Sequence, residues 1–322
     1  MVDYERSRES IAPIASAREP ATLAWMLLVL ASHLGWGAYP VLGRYLQTVA
    51  HLPSFTLLAA GMVMPASAAL IWLSREPGGY RSLRRPILWA FAVIVMARSV
   101  TNLLAARFTL ATSVQLITLM TPFEVALLGH AFFGERIPYG TYRAISLSLL
   151  GALLMMSGHG LSLRLGSTDL LGMAFALASS LFLALYMLVV RRAAMRDVPI
   201  PAVFTVHSVT ALSFATVMSV GLGERWEAWQ SLSPFGWLIF AGFSAGVLLG
   251  ANSAQLWSIG RLGASLVSSL MATRLLAVLA AGALVLGERL ETPLQGLGAL
   301  IVAAIISWYL FAIENRGGTG PD

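Results

Sequence analysis

Cysteine is absent from all 322 residues, which excludes disulfides, thiolate metal sites and cysteine nucleophiles and leaves no thiol by which to read a redox compartment. Lysine is absent too. All 21 basic residues are arginine, a choice that reflects coding composition rather than physics. Charge of either sign is scarce, at 11% of residues. The net charge of +6 comes from arginines scattered between apolar runs, so there is no basic stripe for a nucleic acid. There is also no H-E-x-x-H and no pair of mid-helix aspartates, and serine adjoins histidine only at Ser32-His33 and His207-Ser208. An enzyme is therefore not expected, and neither is a cofactor or a metal.

What the chain does have is apolar residues, at 57%. One water-soluble core cannot hide that share, so the chain reads as an all-α integral membrane protein. Ten stretches approach the ~20 residues with which a helix crosses ~30 Å of hydrocarbon. They are 23–46, 54–73, 86–107, 112–133, 139–158, 168–190, 200–221, 234–257, 262–286 and 292–313. Residues 1–21 mix both charges with Pro13 and Pro20, and are expected to be a disordered cytoplasmic tail rather than a cleaved signal. Residues 314–322 make a second tail. With the first tail inside, fourteen arginines fall in inside segments and five outside, so both termini are expected in the cytoplasm.

The most informative stretch is Thr112 to Arg136, which ends on Gly134-Glu135-Arg136 and is echoed from Ala264 to Gly287-Glu288-Arg289; 287 less 134 gives an offset of 153. Leu30-Ala31-Ser32, Tyr39 and Arg44 likewise match Leu177-Ala178-Ser179, Tyr186 and Arg191 at an offset of 147. The halves 22–160 and 161–313 are therefore read as repeats. Five helices is an odd number, so the second repeat crosses in the opposite sense, an inverted arrangement used by alternating-access carriers.

The duplicated unit, Pro122-Phe123, the two Gly-Glu-Arg ends, and the glycines Gly140, Gly151, Gly296 and Gly298 resemble the ten-helix EamA form of the drug/metabolite transporter superfamily over about residues 23–313. The resemblance implies a cavity lined by helices 1, 3, 4, 6, 8 and 9 and transport of small metabolites across the cell (inner) membrane, favouring efflux of amino acids or related compounds. It implies no particular substrate. Leu275 stands where the first copy has Pro122, so a broken helix is expected only in the first copy.

Arg98, Glu124 and Arg274 lie about twelve residues into their helices, where an isolated charge costs ~2.5–3.5 kcal/mol on insertion scales. They are the leading candidates for the site. Two arginines against one carboxylate suit a solute with a carboxylate, which the planar guanidinium fits. Glu124 is expected to approach Arg274 across the repeat axis, and either to pair with an arginine in the empty state or to carry a coupling proton. A plain structural ion pair between helices 4 and 9 is the competing reading. Pro122 is the expected hinge. Asn102, Gln255 and Asn252 are amide candidates, although bonding between helices is the commoner role of such groups. His33 is a candidate relay or ligand, and Trp36, Tyr39 and Tyr186 are candidate cavity walls. The chain thus reads as a secondary transporter, monomeric or homodimeric, of a small carboxylate-bearing metabolite. Uptake or exchange of another anion, a nucleotide-like compound or a cationic drug is the alternative, with an intramembrane enzyme or a receptor, channel or scaffold behind it.

Overall fold

The computed structural model describes residues 23–134, 137–156, 167–194, 196–262, 267, 270–288, 290 and 292–317. The first tail and Glu135, Arg136 and Arg289 lie outside the described residues, as does the second tail beyond residue 317.

Every regular element described is helical. α1 (Leu23–Arg44) runs on into a π turn (Tyr45–Val49), and α2 (Ser54–Arg75) and α3 (Pro86–Phe108) follow. α4 is in two pieces, Ala111–Thr118 and Thr121–Phe133. Next come α5 (Thr141–Met156), α6 (Ser167–Ala194) and α7 (Ile200–Gly221). α8 joins Pro234–Ala241, a π stretch Gly242–Ala251 and Asn252–Leu262. α9 joins Thr273–Ala281 to a π turn, Gly282–Leu286, and α10 is Pro293–Gly317. Eight of these helices are long and apolar enough to cross a membrane, while α5 and α9 are apolar but shorter, over Thr141–Met155 and Thr273–Leu286.

The break in α4 has a local cause. Pro122 has no N–H for the Thr118 carbonyl, and its ring crowds that oxygen. Leu119 and Met120 turn instead, and the Thr121 hydroxyl donates to the Thr118 carbonyl at 2.6 Å. The second copy corrects the expectation that only the first would break. Residues 270–272 are in turns and the helix starts at Thr273, whose hydroxyl donates to the Leu270 carbonyl at 2.6 Å. A threonine that captures the carbonyl three residues back thus marks both breaks, with or without proline. The glycine of each Gly-Glu-Arg end closes its helix in the left-handed region, with φ of 65° at Gly134 and 70° at Gly287.

Helices pair across the halves: α3 on α6, α1 on α8, α4 on α6, α1 on α9, α2 on α7 and α5 on α10. Exchanging each helix for the one five places along returns the same set of pairs. At the α5–α10 crossing, a Cβ on Gly298 would lie 2.5 Å from the Gly151 carbonyl, so only hydrogen fits there. Gly37 of α1 lets the Arg274 carbonyl approach in the same way, at 2.5 Å. The glycines of α8 do not make such a seam, because a Cβ on Gly246 would meet nothing within 4 Å.

Loops fall on two end faces. On one, Glu224 after α7 accepts the backbone N–H groups of Phe55 and Thr56 at the start of α2. On the other, Arg85 before α3 donates to the Arg196 carbonyl after α6 at 2.8 Å. The sides expose Leu27, Val93, Leu153, Val217, Leu284 and Leu300, an apolar exterior suited to lipid tails.

Candidate functional site

α1 turns Ser32, His33, Trp36 and Tyr39 inward, as spacings of three and four residues require on one helical face. Arg98 of α3, only 8% exposed, lies with its guanidinium carbon 5.0 Å from the Trp36 ring centre and 5.2 Å from that of Tyr186. Two aromatic faces hold this charge in the membrane in place of a carboxylate; a desolvated cation–π contact is worth about 2 kcal/mol. Its Nε has no acceptor among the described residues.

Arg274 of α9 is held differently. Its Nε donates to His33 Nδ1 at 3.0 Å and its Nη2 to Gln255 Oε1 at 3.4 Å, and it stands 6.0 Å from the Trp36 ring centre. His33 Nε2 is 2.6 Å from the Val267 carbonyl. A carbonyl only accepts and a guanidinium only donates, so these partners require the proton on Nε2 and leave Nδ1 as the acceptor. His33 hydrogen-bonds Arg274 and is not among the residues that line the cavity among α1, α3, α6 and α8.

The expected approach of Glu124 to Arg274 is not realised, and among the described residues no ion pair joins Arg98, Glu124 or Arg274. The break in α4 directs Glu124 toward α6, where Oε2 accepts from the Ser180 hydroxyl at 2.6 Å. Ser180 Oγ also stands 3.0 Å from Thr121 Oγ1. Sequence reading missed Ser180, although the repeat marks it. The offset of 147 takes His33 to Ser180, and 153 takes Thr121 to Arg274, so the Thr121–Ser180 and Arg274–His33 contacts are images of each other.

A cavity of about 320 Å³ opens among α1, α3, α6 and α8. Trp36, Arg98, Tyr186, Asn252 and Gln255 form its polar wall. Apolar lining comes from Leu183, Met187 and Val190 of α6 and Leu256 and Ile259 of α8, none of them singled out in the sequence. The cavity reaches Arg191 near the end of α6, on the face that carries the Arg85–Arg196 contact. Tyr39 lies behind Trp36, its ring centre 5.8 Å away, and Asn102 is half-buried; neither lines the cavity. His207 sits edge-on to Tyr186 at 5.8 Å.

At the opposite end, beside a second cavity of about 550 Å³ lined by Tyr45, His51, Arg225 and Glu227, polar contacts tie helix ends together. Arg44 at the end of α1 pairs with Glu288 after α9 at 3.4 Å and donates to the carbonyls of Ala106 and Thr109. Glu288 also accepts the Ala111 N–H at the start of α4, and the Thr109 hydroxyl donates to Asp169 of α6. Five helices are thereby tied at one face. The pentad Gly242-Phe243-Ser244-Ala245-Gly246 spells G-x-S-x-G, but Ser244 is buried in the π stretch and donates to the Gly61 carbonyl at 2.8 Å. A nucleophile elbow needs a strand and a sharp turn, which are not present there.

Residues 23–157 match the family model of the EamA-like transporter family. No curated protein matches the chain. Among solved structures 27 chains match. One of them, described only as "Crystal structure of protein", superposes with a TM-score of 0.65 at 15% identity, over 92% of this chain and 99% of its own. At that identity the likeness shows the fold alone.

Proposed function

We propose that the chain, whose residues 23–157 match the EamA-like transporter family model, is a membrane transporter of the drug/metabolite type that exports a small carboxylate-bearing metabolite by alternating access. The observation that carries the substrate's charge is the pair of guanidiniums at the cavity. Arg98 is in its wall and Arg274 bonds to the wall residue Gln255, while Glu124 is turned away to Ser180. Uncompensated buried cations in a membrane call for an anion, and a carboxylate fits the guanidinium fork. Export is supported by the cavity mouth at Arg191, on the arginine-rich face that the positive-inside rule assigns to the cytoplasm of the cell membrane. Alternating access is supported by helix pairs that map onto themselves on exchange of halves. Glu124, without an arginine, is the group to carry a coupling proton.

Counterflow in proteoliposomes tests this. Arg98→Ala and Arg274→Ala are expected to lower substrate exchange about ten- to a hundredfold, the loss of one charge-assisted contact of ~1.5–3 kcal/mol. Glu124→Gln is expected to keep counterflow but to lose its response to a pH gradient. Wild-type transport in both Arg274→Ala and Glu124→Gln, with folding intact, sinks the site assignment.

A further inference from the structure

Resting on the carboxylate reading, we infer that the transported solute is an organic acid with an apolar or aryl tail and no ammonium group, rather than an α-amino acid. Among the described residues, the lining contains no aspartate or glutamate. Of its two amides, Gln255 and Asn252, the first already gives its Oε1 to Arg274, which leaves one neutral amide oxygen and no carboxylate for an ammonium. The other common way to hold an ammonium is the face of an aromatic ring. Here the faces of Trp36 and Tyr186 are occupied by Arg98, at 5.0 and 5.2 Å.

In an α-amino acid the ammonium is one carbon from the carboxylate. A carboxylate docked on Arg98 therefore brings that ammonium close to a guanidinium, a like-charge contact in a site that excludes most water. The donors point the same way. Of the polar wall residues Trp36, Arg98, Tyr186, Asn252 and Gln255, Arg98 carries a full positive charge, so the wall favours a solute rich in acceptors over one bearing an ammonium. The five aliphatic and thioether side chains on α6 and α8 form the other side, where a hydrocarbon tail is removed from water.

Three compounds with one phenyl ring separate the possibilities: 3-phenylpropanoate, L-phenylalanine and 2-phenylethylamine. Binding to the purified full chain in lipid nanodiscs is read by tryptophan fluorescence and by thermal shift. Expected is a Kd for 3-phenylpropanoate at least tenfold below that for L-phenylalanine, with no binding of the amine. L-Phenylalanine binding as tightly or more tightly overturns the inference and leaves the carboxylate reading standing. Tightest binding by the amine, or binding by neither acid, overturns the carboxylate reading itself. Asn252→Asp, nearly isosteric, supplies the missing carboxylate and is expected to shift the preference at least tenfold toward L-phenylalanine. An unchanged ratio in that variant counts against the inference.

Discussion

Arg98 and Arg274 solve the same problem by different means. Arg98 relies on the planarity of its guanidinium, held between Trp36 and Tyr186, whereas Arg274 relies on directed hydrogen bonds to His33 and Gln255. The conservative replacements should therefore behave unequally. Arg98→Lys keeps the charge but loses the stacked plane, and about a tenfold rise in KM is expected in counterflow. His33→Ala leaves Arg274 charged but removes its acceptor. That variant should raise KM by a similar factor without changing which phenyl compound is preferred, since His33 is not in the cavity wall. A changed preference would make His33 a ligand after all. Of the residues singled out from the sequence, Arg98, Trp36, Tyr186, Asn252 and Gln255 meet in one wall, whereas Tyr39, Asn102 and Glu124 do not line it. Charge in an apolar run signals that a side chain must find a partner, but it does not name that partner.

The elements that shape the site are broken ones. In α4 and α9 the first helical residue after each break is a threonine whose hydroxyl satisfies the carbonyl three residues back, at 2.6 Å in both copies. Pro122 is present in only one copy, so the threonines are the shared device. Pro122→Ala is expected to leave transport within about threefold, because the Thr121 hydroxyl still holds the Thr118 carbonyl. Thr121→Val removes that hydroxyl and also the contact with Ser180, and it should cost about tenfold or more in transport rate. The reverse order would mean that the proline, and not the hydroxyl, keeps the break in place. At the α5–α10 crossing, Gly298→Val sets methyl groups against the Gly151 backbone. Overpacking of about 1–3 kcal/mol predicts a lower Tm in detergent, with transport per folded molecule unchanged.

At the scale of the whole molecule, helix ends are tied at one face, and the cavity walled by Arg98 reaches toward the other. The Arg44–Glu288 pair, with Thr109, Ala111 and Asp169, joins α1, α9, the start of α4 and α6 opposite the mouth at Arg191. Such a tie biases a two-state carrier toward the state in which it exists. Arg44→Gln or Glu288→Gln should therefore shift molecules toward opening at that end. Because the chain has no cysteine, Met187→Cys gives a single label site in the cavity wall. Modification by an impermeant maleimide added at the tied face is expected to speed up about fivefold or more in either variant, and to slow again in the charge-swapped Arg44→Glu, Glu288→Arg pair. Equal labelling rates in all of these would mean that the pair does not act as a closure.

The membrane class, the helical character and the likeness of residues 23–157 to the EamA-like family were legible in the sequence because they depend on composition, on runs of apolar residues and on repeated motifs that any fold of this chain must accommodate. The bend at Pro122 was legible for the same reason, since a missing N–H is a local fact. The partners were not. Whether Glu124 met Arg274 or Ser180 depended on how a broken helix rotates against α6, and the break at 270–272 depended on a threonine hydroxyl that no periodicity marks. Which helices tie at one face and which part at the other is set by contacts between residues more than two hundred positions apart, as between Arg44 and Glu288. Those long-range contacts turned Arg98, two amides and a pair of aromatic rings into the polar part of a cavity that is otherwise apolar.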